Sequence, residues 1–221
     1  MDHSITILTG RFETGTAEER DIVTRIFGAN DTVRRYRLYF YWYNTIHEVG
    51  HYILQFNKSK SWDDVDEEML VNRFAAAYWE HYGEAGKRER LKEIVQTGLG
   101  RYTRPALATG SALEYAKAHW ENNREELFSF NNYGWFQFSL VSSALANAPS
   151  LKDILVQMQI PNLTPQPRWE FRYNLDDEDL PFACVYDAVQ NLRLWGLDID
   201  VPNHIYVDSP SRHGLSWTGG C

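Results

Sequence analysis

Two histidines four residues apart, with a glutamate directly after the first, constrain this chain more than any other part of it. They lie in Thr45-Ile46-His47-Glu48-Val49-Gly50-His51-Tyr52-Ile53. On an α-helix a four-residue step advances about 40° beyond a full turn, so a helix here puts both imidazoles on one face, one turn apart. Two ring nitrogens so placed can reach a single Zn²⁺, at roughly 2.0–2.1 Å each. Glu48 stands next to that ion, poorly aimed to ligate it but able to take a proton from a water bound there, as in a zinc-dependent hydrolase. The flanks suit a buried helix. No charged residue other than Glu48 lies between Leu38 and Gln55, and Trp42, Ile46, Val49 and Ile53 recur at three- and four-residue steps. A core helix whose histidines only satisfy internal hydrogen bonds would share these features, so a third ligand decides between the two.

A candidate stands downstream. Asp63 to Trp79 reads as a second helix whose carboxylate-rich first turn is mostly solvated and favoured by the helix dipole. Glu68 differs from its acidic neighbours, because Asn72 and Trp79 fall on its face and the small Ala75 lies between them. It is thus an inward-facing carboxylate with a polar neighbour one turn on and room for close helix approach. Asn72 can orient a ligating histidine through that histidine's free ring nitrogen.

His47-Glu48-Val49-Gly50-His51 followed by Glu68-x-x-x-Asn72-Arg73-Phe74-Ala75-Ala76 resembles the gluzincins, zinc peptidases with two histidines and a glutamate as ligands. Within them it is most similar to the ImmA/IrrE-type peptidases, which typically carry Glu-x-x-Ala-Asn-x-Phe-Ala-Ala after the histidine motif. Val71 stands where that family usually has Ala, and the likeness covers residues 42–79. The resemblance implies His47, His51 and Glu68 as Zn²⁺ ligands and Glu48 as catalytic base. It also implies a zincin-like fold, α+β but mainly α, with a small N-terminal sheet and a helical C-terminal half. No helix-turn-helix and no sensor domain are recognisable, so the regulatory role of some relatives is not implied.

The expected activity is hydrolysis of a peptide or protein substrate. Zn²⁺ keeps its fourth position for water and lowers that water's pKa, while Glu48 carries the proton to the leaving amine. A further donor should stabilise the oxyanion, a role worth about 3 kcal/mol. Tyr133, beside the Asn131-Asn132-Tyr133-Gly134 turn, is the first choice, with His119, His204 and His213 as the others. His81 lies about 220° round the helix from Glu68 and faces away from it. Two other classes share the motif: a zinc-binding interaction domain without activity, and a hydrolase of amides outside proteins.

The chain has 221 residues, the size of one domain, with 1–100 as metal-site core and 101–221 as a helical part walling the cleft. Hydrophobic residues make up 43%, which excludes disorder over most of the length. A net charge of −8 with no basic block argues against nucleic-acid binding. Cys184 and Cys221 are too few for a disulfide framework and sit in no zinc-ligand spacing. No signal peptide and no bilayer-spanning apolar run are visible, so a cytoplasmic protein without membrane contact is expected.

Strands are expected over Ile5 to Phe12 and over Ile205-Tyr206-Val207. Val33, Tyr36, Leu38 and Phe40 fit either a strand or the first turns of the metal helix, and the zincin-like resemblance, which implies a strand holding extended substrate beside that helix, favours a strand over 33–39. Trp169, Phe171 and Tyr173 alternate with charge as a strand or flap would. Capping boxes Thr16/Glu19 and Ser111/Glu114 open helices, the first closed by Gly28 and the second reaching about Leu127. Further helices are expected from near Ser61, over Lys87 to Thr97, from Asn131-Asn132 to Ala146, from Ser150, and from Pro181 to Trp195.

Overall fold

The computed structural model describes residues 9–57, 62–160, 163–168 and 174–199, and every regular element among them is helical. After one 3₁₀ turn (Phe12–Thr14) come α1 (Ala17–Phe27), α2 (Thr32–Tyr36), a π-helical stretch (Arg37–Asn44) and α3 (Thr45–Asn57). Then follow α4 (Asp64–Tyr82), α5 (Ala85–Leu99), α6 (Ala112–His119), α7 (Arg124–Leu127), α8 (Phe130–Ala146), α9 (Leu151–Gln157) and α10 (Leu180–Leu194).

Local chemistry sets most of these boundaries. Thr16 with Glu19, and Ser111 with Glu114, each close a reciprocal capping box, satisfying backbone donors that a helix start leaves unpaired. Gly28 ends α1 at φ 86°, a conformation that costs glycine little. Asp63 caps α4 by accepting from the Asp66 amide, and Ser61 lies outside the described residues. Pro181 occupies the first turn of α10, where its missing N–H is no loss.

The expected N-terminal sheet must be corrected: no strand is present among the described residues, and the α+β assignment gives way to an all-helical one. Of the Ile5 to Phe12 segment, residues 5–8 lie outside the described residues and 9–12 form no strand. Residues 33–39 belong to α2 and the π stretch, which continue into α3 without a break. The physical reason is a buried run too long to show a period. Arg34 is exposed, but Leu38, Tyr39, Tyr41, Trp42 and Tyr43 are all buried, and so long an apolar run leaves little polar pattern to reveal a helix. The alternation of Val33, Tyr36, Leu38 and Phe40 was therefore no guide to a pleat. The segments around Trp169 to Tyr173 and Ile205 to Val207 lie outside the described residues.

Two helix boundaries also differ. The helix begun at Ser111 stops at His119, and the next residue, Trp120, donates its indole N–H to Asp64 Oδ2 at 2.6 Å. Ser129, not Asn131 or Asn132, takes the N-cap position of α8. Asn131 instead donates to the Thr103 carbonyl at 2.7 Å, and Asn132 to the Tyr115 hydroxyl at 3.0 Å.

The site sits where α3 lies along α4, with α8 crossing α4 and α5 and with α9 and α10 closing the other sides. Trp42 of the π stretch stacks on Trp79 of α4 with ring centroids 3.8 Å apart, and the Trp79 indole donates to the Trp42 carbonyl at 3.0 Å. Burying such rings, at 150–250 Å² each, contributes roughly 4–6 kcal/mol apiece. Gly50 lets α3 and α4 meet closely. A Cβ there would lie 2.9 Å from Val71 Cβ and 3.1 Å from Phe74 Cδ1. Val71, the departure from the ImmA/IrrE-type pattern, thus fills space that glycine leaves. A smaller core gathers Val65 of α4 with Tyr115, Trp120, Leu127, Tyr133 and Phe136. No described helix is long and apolar enough to cross a membrane.

Candidate metal centre

Tight packing at Gly50 brings the histidine face of α3 against the first turns of α4. His47 Nε2 and His51 Nε2 are 3.2 Å apart, one turn of helix having aligned them. Glu68 places Oε2 3.5 Å from His47 Nε2 and Oε1 3.5 Å from His51 Nε2. Ligand atoms around a tetrahedral ion at about 2.0–2.1 Å stand roughly 3.3–3.4 Å from one another. The two imidazole nitrogens stand at about such a separation, and each has a different Glu68 oxygen near it, with one ligand atom from each residue within 4.8 Å of the others. His47, His51 and Glu68 form a group that could hold a metal ion.

The surroundings steady this arrangement. Glu67 Oε1 accepts from His51 Nδ1 at 2.7 Å, which fixes the ring tautomer and leaves Nε2 towards the ligand cluster. Gln137 of α8 donates from Nε2 to Glu68 Oε2 at 3.0 Å and to the Tyr133 hydroxyl at 2.9 Å. Glu48, partly exposed, accepts from Asn44 Nδ2 at 3.2 Å. Asn72 is fully enclosed; it donates to the Glu68 carbonyl at 2.9 Å, and its Oδ1 accepts from Tyr43 at 3.2 Å. Its side chain also approaches His47 closely enough to favour the charged ring, yet His47 Nδ1 is buried and completes no hydrogen bond.

Electrostatics divides the two histidines. Burial pushes His47 down, with Glu68 only partly offsetting it, so this ring is neutral. Burial works against the charged form of His51 too, but hydrogen bonds to Glu67 and Glu68 and the charges of Glu68 and Glu48 outweigh it and raise the imidazole to about 10. Burial alone would raise Glu68. The hydrogen bond from His51, the neighbouring His47 ring, the positive charge on His51 and the Gln137 amide pull it down to about 2. Without an ion the site is thus a His51⁺/Glu68⁻ pair beside a neutral His47, and a metal entering it displaces the His51 proton. Burial pushes the Tyr133 phenol well above its ordinary range, and Glu68 and Glu48 add to the effect, so it remains a protonated donor.

The sequence-derived residues His47, His51 and Glu68 meet at one point, Glu48 lies on the same helix beside them, and Tyr133 reaches Glu68 through Gln137. His119 donates Nδ1 to its own helix at the Tyr115 carbonyl, 2.8 Å away, and His204 and His213 lie outside the described residues. His81 is exposed and packs on Trp195 instead of the site. Three contributors were not anticipated. Glu67 was hidden among the solvated carboxylates of the first turn of α4. Gln137 lies one turn beyond Tyr133, but its partner is sixty-nine residues away in sequence. Asn44 stands one turn before Glu48, a spacing that could have revealed it.

Fold and site together define a class: a protein all-helical over its described residues, in which three side chains that could hold a metal ion converge from two adjacent helices. No protein-family model, no curated protein and no solved structure matches the chain.

Proposed function

We propose that this chain is a zinc-dependent metallopeptidase of the gluzincin type, with His47, His51 and Glu68 holding the ion and Glu48 as general base. The observation that carries the reading is the convergence of one ligand atom from each of His47, His51 and Glu68, all within 4.8 Å of one another, with the two imidazole nitrogens 3.2 Å apart, close to the edge of a zinc tetrahedron. The likeness of His47 to His51 and Glu68 to Ala76 to the ImmA/IrrE-type peptidases supports it. When bound, Zn²⁺ supplies Lewis acidity and makes a water acidic enough to lose its proton near neutral pH. Glu67 holds the His51 ring in the tautomer a ligand needs. Asn44 steadies one oxygen of Glu48, and that carboxylate takes the proton of the attacking water and hands it to the leaving amine. Tyr133, kept protonated by burial, donates to the developing oxyanion.

Zinc analysis of the purified protein, followed by cleavage of a peptide library by wild type and Glu48→Gln, tests the proposal. Stoichiometric zinc in both is expected, with turnover of the variant lower by about 10²–10⁴-fold. Zinc without Glu48-dependent cleavage of any peptide would replace the peptidase with a metal-bearing interaction domain. Turnover confined to small amides would replace it with a non-peptidase hydrolase.

A further inference from the structure

Resting on the metal-site reading above, we infer that Gln137 is a positioning residue that ties Glu68 to Tyr133, aiming the third ligand and the oxyanion donor as one unit. Tyr133 and Gln137 stand one turn apart on α8, so their side chains share a face. Both hydrogens of the Gln137 amide are committed there, one to Glu68 Oε2 at 3.0 Å and one to the Tyr133 oxygen at 2.9 Å. The next positions of that face, Leu140 and Val141, are apolar and buried. A leucine at 137 would continue that surface without the cost of desolvating an amide. The amide's place among them is explained by the two acceptors it joins.

The choice of oxygen matters. Oε2 of Glu68 is held by Gln137, while Oε1 lies against His51 Nε2. Oε2 also lies 3.5 Å from His47 Nε2, but the amide draws on its electron density, and this favours binding of an ion through Oε1, with three ligand atoms from the protein instead of four. The same amide gives the Tyr133 oxygen a hydrogen bond, so the phenol proton points elsewhere than Gln137. Loss of Gln137 releases both: Glu68 can turn a second oxygen to the ion, and Tyr133 loses its tether to the ligand.

The test uses the full-length protein with Co²⁺ as probe, comparing wild type with Gln137→Leu and the equally shaped Gln137→Glu. A Co²⁺ titration gives affinity, and the intensity of the visible d–d bands, which weakens as coordination rises from four to five, reports the Glu68 binding mode. Both variants are expected to bind Co²⁺ about 10–100-fold more weakly, as losses of ligand-supporting hydrogen bonds do. Their visible bands should weaken, and kcat should fall more than KM changes. A purely structural role would lower thermal stability but leave the Co²⁺ spectrum as in wild type, and that result overturns the inference. Should Gln137→Leu fail to fold, Gln137→Glu decides alone. A wild type that takes up no Co²⁺ overturns the metal-site reading and this inference with it, whereas Co²⁺ bound alike by all three proteins overturns this inference only.

Discussion

Glu68, on α4, and Asp187, which faces α4 from α10, are both enclosed carboxylates, and they end on opposite sides of the ordinary carboxylate range. Burial acts on each in the same sense, towards the neutral acid. At Glu68 it is overruled by His51, His47 and Gln137, and the group is held down to about 2. At Asp187 burial prevails and lifts the group to about 6. Its Oδ2 accepts from the Tyr78 hydroxyl at 2.8 Å, Asn191 supports that hydroxyl at 3.1 Å, and Oδ1 has no hydrogen-bond partner. Among the described residues the cation acting on it is Arg168, and Tyr82 is the other titratable group facing it from α4. The two carboxylates differ because Glu68 has imidazoles for neighbours and Asp187 has phenols. Neighbouring imidazoles make the charged form of Glu68 favourable, whereas Asp187 is charged at neutral pH only against the pull of burial.

The largest effect should come from breaking the charged side. In chelator-treated protein, Glu68→Ala leaves the His51 cation buried with Glu67 as its remaining close partner, at a cost of about 3–5 kcal/mol in unfolding free energy. Denaturant unfolding measures that cost, and elemental analysis should find metal uptake lost as well. Unchanged stability would mean that Glu67 alone satisfies His51.

Next comes the neutral side, where the sign reverses. Asp187 is raised from 3.8 to about 6, so between those values the folded chain keeps a proton that the unfolded chain has released. Stability therefore falls as pH rises through this window, and above it the full penalty, on the order of 3 kcal/mol, persists. Asp187→Asn should remove the penalty, stabilising the protein at neutral pH while leaving it unchanged below the unfolded-state pKa. Parallel unfolding curves at pH 7 and pH 3.5 for both proteins check this; an equal gap at the two pH values would show that Asp187 is not the group titrating. The smallest effect belongs to Tyr78→Phe. It withdraws the Oδ2 donor, costs about 1–3 kcal/mol at neutral pH and moves the Asp187 titration upwards, which NMR of the carboxyl carbon can follow.

Much of the helical layout was legible because helix ends are written in local chemistry. Thr16 with Glu19, Ser111 with Glu114 and Pro181 act over three or four residues, a range at which sequence and structure coincide. The π stretch was not legible, since it is covered by α4, α5 and α10, with Phe138 of α8 stacked on Tyr39, and packing of that kind erases any periodic pattern. The same division runs through the site. His47 and His51 are paired by helix geometry alone, and Glu68 was distinguished by the residues sharing its face. Gln137 was invisible because its role arises only when α8 crosses α4, and Glu67 because nothing local separates a carboxylate bound to His51 from one left in water.

The π stretch also bears on how such a chain can change length. An α-helix turns about 100° per residue, so losing one residue between His47 and His51 would carry the second imidazole off the ligand face. From Arg37 to Asn44 the backbone already carries surplus chain relative to an α-helix. A single-residue loss there can be absorbed by tightening to ordinary α-helical winding, with α2 and α3 kept in phase. The segment entering the motif is thereby an expansion joint: its length can drift by a residue while the ligands one turn later stay aligned.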